Sequence, residues 1–126
     1  MKMSGNETVV EAFVKAFNER DLDAIMAFFD EEAIYHNIPV DPVEGIDAIR
    51  ITLSGFLDMS TEIDWVVHQL AENPAGYVLT ERTDRFLIGG KWIEIPVMGT
   101  FEIRDGRIRA WRDYFDMNQF QSQLAG

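Results

Sequence analysis

Apolar residues recur at every third or fourth position early in the chain and at every second position later, so helices are expected first and strands afterwards. Val10, Phe13, Val14 and Phe17 form one stripe of an amphipathic helix. Asp21 reads as an N-cap, and Leu22, Ile25, Met26 and Phe29 repeat the spacing in a second helix, which Asp30-Glu31-Glu32 ends. Residues 33–38, bounded by Pro39, read as a short first strand. Pro39, Pro42 and Gly45 mark a loop, and Ile46, Ile49, Leu53 and Leu57 predict a third helix running to about residue 58. From Thr61 the period is two: Ile63, Trp65 and Val67 alternate with Glu62, Asp64 and Val66. The turn signal Asn73-Pro74-Ala75-Gly76 leads into a strand over 77–88, which Gly89-Gly90 closes as a hairpin. Strands over 92–103 and 107–115 follow, separated by Arg104-Asp105-Gly106, and residues 117–124 suit a short closing helix. Helices followed by a long meander predict an α+β domain in which a curved sheet wraps a helical lid. No repeat, linker or low-complexity stretch interrupts residues 1–126, so a single domain is expected.

Composition narrows the partners. Hydrophobic residues make up 47% of the chain, with nine Phe, three Trp and three Tyr, which is enough for a core and too apolar for disorder. Twenty-two acids against eleven bases give a net charge of −11, a surface that repels nucleic acid and anionic lipid. The absence of cysteine excludes disulfides, thiol catalysis and cysteine metal sites. His36 and His68 are not placed to share a ligand, and Met26, Met59 and Met98 read as gap-fillers. The first residues, Met1 to Glu7, carry no apolar signal core, and no apolar run reaches the ~20 residues of a membrane helix. A cytoplasmic protein with no membrane or nucleic-acid partner is expected.

Strand alternation then puts charge where a core belongs. Val78, Thr80, Arg82, Asp84 and Phe86 share one face of their strand, and Trp111, Asp113 and Phe115 share one face of theirs. If the aromatic residues point into the concave side, Arg82, Asp84 and Asp113 go with them. Tyr35 and Asn37 share a face of the short first strand. An Arg between two Asp can satisfy both carboxylates with its planar fork. Two close carboxylates in a dry pocket resist ionising together, so one can serve as a base while the other stays protonated as an acid. The bland alternative is that Arg82-x-Asp84 is a solvated ion pair on an exposed face, with Trp111 and Phe115 as plain core residues.

Tyr35-His36-Asn37-Ile38-Pro39, Glu81-Arg82-Thr83-Asp84 and Trp111-Arg112-Asp113-Tyr114-Phe115-Asp116, in that order and on those strands, resemble the limonene-1,2-epoxide hydrolase family. The resemblance implies the cone fold of nuclear transport factor 2-like proteins, with a curved antiparallel or mixed sheet wrapped around N-terminal helices and enclosing a deep pocket. It also implies a homodimer and no cofactor. By the same resemblance Asp113 is the base that deprotonates water, and Tyr35 and Asn37 hold that water. Asp84 is the acid that protonates the epoxide oxygen, and Arg82 bridges the two carboxylates. Trp111, Phe115, Phe86 and Phe56 are the expected substrate contacts. Phe56 and Phe86 stand where the family is expected to carry smaller aliphatics, so the reaction type transfers more readily than limonene oxide itself. Rival readings on the same fold are an isomerase or cyclase resembling ketosteroid isomerases, and a module that binds a small apolar ligand without catalysis. An Arg joining two carboxylates is superfluous to both.

Overall fold

The computed structural model describes residues 3–126; Met1 and Lys2, at the head of the segment without a signal core, lie outside the described residues. The first helix, α1 (Gly5–Asn18), starts at Ser4, whose hydroxyl accepts from the Glu7 amide while Glu7 accepts from the Ser4 amide. Glu7 also accepts from the Glu72 amide at 3.0 Å, which ties this cap to the far end of strand β3 (Glu62–Glu72). The predicted stripe of α1 is its buried face, with Val10, Phe13, Val14 and Phe17 fully or nearly enclosed.

The second helix, α2, spans only Leu22–Met26, capped by the Asp21 carboxylate on the Ala24 amide. Here the structure corrects the sequence reading. Phe29 is not the last helical residue but the first of strand β1 (Phe29–Asn37), and Asp30, Glu31 and Glu32 lie within that strand. The pairing of β1 with its neighbour shifts register between Phe29 and Ile34. That irregularity breaks the period-two alternation and leaves the acids facing outward. Phe29 is buried against Phe13, edge to face at 5.5 Å between ring centres. A two-residue strand, β2 (Val43–Glu44), pairs with β1 and was too short to register in the pattern.

Helix α3 (Ile46–Met59) precedes β3, β4 (Tyr77–Ile88), β5 (Lys91–Arg104), β6 (Arg107–Tyr114) and the closing helix α4 (Met117–Ala125). The strands form one six-stranded mixed sheet in the order β2-β1-β6-β5-β4-β3. All its pairs are antiparallel except β1 with β6. Gly89 and Gly90 join β4 to β5, both at positive φ, as a tight two-residue hairpin requires. Phe13 and Phe17 of α1 meet Phe29, Phe101 and Trp111 in one aromatic core on the inner side of the sheet. No helix among the described residues is long and apolar enough to cross a membrane.

Candidate active site

The inward face of β4 alternates as expected: Val78, Thr80, Arg82, Asp84 and Phe86 are all buried. Arg82 is 1% exposed, and Asp84 and Asp113 are each 3% exposed. An ion pair this deep must satisfy its hydrogen bonds internally, or folding is penalised by several kcal/mol, of the order of 3–5. It does so. The Arg82 Nε and Nη2 donate to the two oxygens of Asp84 at 2.9 and 2.8 Å. Its Nη1 and Nη2 donate to Oδ1 and Oδ2 of Asp113 at 3.2 and 2.7 Å. The remaining Nη1 hydrogen goes to Thr80 Oγ1 at 3.1 Å, so every guanidinium N–H has a partner. The guanidinium carbon lies 4.8 Å from the centre of the Trp65 ring, an added cation–π contact.

Three neighbouring strands deliver these groups. Asn37 of β1 is in register with Asp113 of β6, and Tyr35 with Trp111, so Tyr35 and Asn37 stand beside Asp113 on the adjoining strand. The Tyr35 hydroxyl donates to Asn37 Oδ1 at 3.1 Å, which leaves the Asn37 amide N–H free to donate elsewhere. Burial, reinforced by the negative charge of Asp113, raises the Tyr35 phenol well above its ordinary range, and it stays neutral.

Asp113, Asp84, Tyr35 and Asn37 all open onto one cavity of about 280 Å³. Phe56, Phe86 and Phe115 line it too, as expected. Trp111 does not. It is fully buried behind Tyr35, stacked on that ring at 4.2 Å, so it has no surface to offer a substrate, and its role as a substrate contact is corrected. Its indole N–H instead donates to Asp113 Oδ1 at 2.7 Å. Arg82 likewise lies beneath the two carboxylates rather than on the cavity wall. His36 bonds the Val40 carbonyl and His68 the Thr83 hydroxyl, both remote from the site chemistry.

Several contributors escaped the sequence reading. Thr80 shares the inward face of β4, and its hydroxyl spans Arg82 and the Gly99 carbonyl. Gly99 of β5 pairs with both Thr80 and Asp113. A Cβ there would collide with Arg82 Nη1 and Asp113 Oδ1. A glycine inside a strand is a recognised sign of such close approach, and this one was legible on that ground. Gly99→Ala is expected to lower stability by about 1–3 kcal/mol through overpacking. It should also cut turnover more than tenfold, because Arg82 and Asp113 must shift to admit the methyl group. Melting curves and turnover of the purified variant check both. Met117 and Phe120 of α4 close the cavity from above, and Phe120 meets Phe86 edge to face. Gln123 fastens α4 to β5 by donating to the Glu94 carbonyl and accepting from the Glu94 amide.

Burial raises the Asp84 carboxyl to about 6, against the pull of Arg82 and with the charge of Asp113 pushing the same way. The native state therefore holds this proton more tightly than the unfolded chain does. The stabilisation is complete below the unfolded value near 4 and is lost as pH rises through about 6. Relative to Asp84→Asn, wild-type stability should fall by about 2 kcal/mol between pH 4 and 7, read by urea unfolding of both proteins.

The architecture is that of a curved-sheet α+β domain with a buried Asp–Arg–Asp cluster at the bottom of an aromatic pocket. Residues 4–125 match the family model for the limonene-1,2-epoxide hydrolase catalytic domain. The chain is 35% identical to epoxide hydrolase EphG of Mycobacterium tuberculosis over 118 residues, covering 93% of this chain and 78% of that protein. Among solved structures it superimposes on an M. tuberculosis LEH-like epoxide hydrolase with a TM-score of 0.84 at 31% identity, covering 96% of this chain and 90% of that one. An NTF2-like protein of unknown function from Burkholderia pseudomallei shares the fold, with a TM-score of 0.86 at 17% identity over 98% of this chain and all of that one. The chain belongs to the limonene-1,2-epoxide hydrolase family, and epoxide hydrolysis is the activity that membership supports.

Proposed function

We propose that this protein adds water to a small apolar epoxide, cyclic or terpenoid-like, to give a vicinal diol in one general acid–base step. The observation that carries the reading is the Arg82 guanidinium bridging Asp84 and Asp113 at the floor of an apolar cavity. An epoxide ring is strained but has a poor leaving group, so opening it requires a proton on the ring oxygen as water attacks carbon. Asp113 takes one proton from the attacking water. Tyr35 accepts the water's other hydrogen and the Asn37 amide donates to the water oxygen, which leaves a lone pair aimed at the substrate. Asp84 gives its proton to the epoxide oxygen as the C–O bond breaks. The water proton ends on Asp113, and the enzyme resets when that proton returns to Asp84. Both transfers come from side chains, so the scheme calls on no cofactor.

The cavity walls support an apolar substrate, because outside the reacting groups Thr52 is their one hydroxyl. Thr52 is already committed to the Ala48 carbonyl. The reading includes a homodimer in the cytoplasm. Leu79, Met98 and Tyr114, exposed on the outer face of β4, β5 and β6, offer an apolar patch for a second copy.

Turnover of cyclic and linear epoxides in heavy-oxygen water, with chelator present, tests the function. The expected result is singly labelled diol from a single turnover, with no label in the protein. No diol from any epoxide, by folded protein, would overturn the reading and favour proton-transfer chemistry on carbonyl compounds.

A further inference from the structure

The two oxygens of Asp113 are not equivalent. Oδ1 accepts from the Trp111 indole N–H at 2.7 Å and from Arg82 Nη1 at 3.2 Å, and it occupies the space that a Cβ on Gly99 would fill. Both of its in-plane lone pairs are thereby engaged. Oδ2 accepts only from Arg82 Nη2, at 2.7 Å, and keeps one lone pair open. Asp113 is a wall of the cavity, so the open lone pair is the one a water in the cavity can reach. We infer that Trp111 is a positioning residue that occupies Oδ1 and thereby makes Oδ2 of Asp113 the atom that takes the proton from water. The inference rests on the epoxide hydrolase reading and adds to it the basic atom and the residue that selects it.

The same indole stacks on the Tyr35 ring at 4.2 Å, so one side chain fixes the base and one of the groups that hold the water. A phenylalanine at this position keeps an aromatic ring between Tyr35 and Phe101 and removes the donor, leaving a small void where the second ring stood. The titratable groups facing Asp113 are Arg82 and Asp84 on β4 and Tyr35 on β1. β5 presents Gly99 and Val97, and α4 presents Met117 and Phe120. None of these neighbours changes in Trp111→Phe. Loss of a hydrogen bond to a charged carboxylate disfavours the charged form, so the acidic limb of the pH–kcat profile should move up by about one pH unit. Two competing proton acceptors in place of one oriented acceptor should lower kcat at neutral pH by about tenfold. KM should stay within about twofold, because the cavity walls are untouched.

The experiment measures kcat, KM, their pH profiles and the melting temperature for wild type and Trp111→Phe. A shifted acidic limb and lowered kcat in folded protein, whatever the melting temperature, support the inference. A wild-type pH profile and kcat, with or without a lowered melting temperature, overturn it and leave Trp111 a core residue. Should Trp111→Phe fail to fold, benzothienylalanine introduced at position 111 alone keeps the bicyclic shape without the N–H, and the same readouts decide. If wild type itself forms no diol from any epoxide, the functional reading has failed first. If wild type forms diol and only the Trp111 variants are unaffected, the failure is confined to this inference.

Discussion

Asp113→Asn is expected to lower kcat by at least a thousandfold while the protein remains folded. Removal of a general base alone has an effect of roughly 10²–10⁴. The buried cluster adds a second loss. Arg82 carries one positive charge between two carboxylates, so the cluster is neutral when Asp113 is ionised and Asp84 holds a proton. With Asp113 replaced by a neutral amide, neutrality requires Asp84 to ionise instead. Acid and base then disappear with one substitution. The Asn oxygen can still accept from the Trp111 N–H and the side chain fills the same volume, so circular dichroism should stay native. The amide NH₂ facing Arg82 Nη2 should lower the melting temperature by several degrees. Retention of most activity would show that the base lies elsewhere.

Arg82→Ala should be the most destabilising of the single substitutions considered. It strands two carboxylates, each about 3% exposed, without a cation. Breaking a buried ion pair by removing one partner costs about 3–5 kcal/mol, which for a domain of this size is roughly 10–20 °C in melting temperature. The deficit should depend on pH. Without Arg82 the Asp84 carboxyl loses the charge and hydrogen bonds that pull its value down, so it rises further above about 6. Protonation then relieves the site as pH falls, and the gap from wild type should narrow at low pH and widen at high pH. Melting curves at pH 5 and pH 8 check the sign. A uniform deficit at both would mean that the loss is one of packing rather than of charge.

Most of the buried polar groups were legible because β4 keeps a strict period of two and β6 keeps it from Trp111 onward, past a register shift. Once Val78 and Phe86 are taken as core, Arg82 and Asp84 have nowhere to point but inward, and Trp111 carries Asp113 in the same way. β1 was harder, because its alternation is interrupted by a register shift and its outward acids imitate a helix end. Phe29 followed the helical spacing of Ile25 and Met26, yet five residues of helix suffice before the chain must turn to bring that ring against Phe13. What alternation cannot supply is depth. It puts Trp111 and Asp113 on one face but does not say that the first lies a layer behind Tyr35 and the second opens to the cavity. Nor can it show that Gly99, flanked on its own face by Val97 and Phe101, faces the carboxylate of another strand.

The cavity draws its proposed reacting groups from the sheet and much of its upper wall from helices. Tyr35, Asn37, Asp84 and Asp113 belong to strands locked by main-chain ladders, whereas Thr52 and Phe56 ride on α3 and Met117 and Phe120 on α4. α4 has no fully buried residue, and Gln123 is its side-chain fastening to β5. Mutation can therefore resculpt the mouth of the pocket without disturbing the proton inventory at its floor. In such a plan the repertoire of accepted molecules drifts freely over a reaction that is held constant, and a library confined to four helical positions is the natural place to explore it.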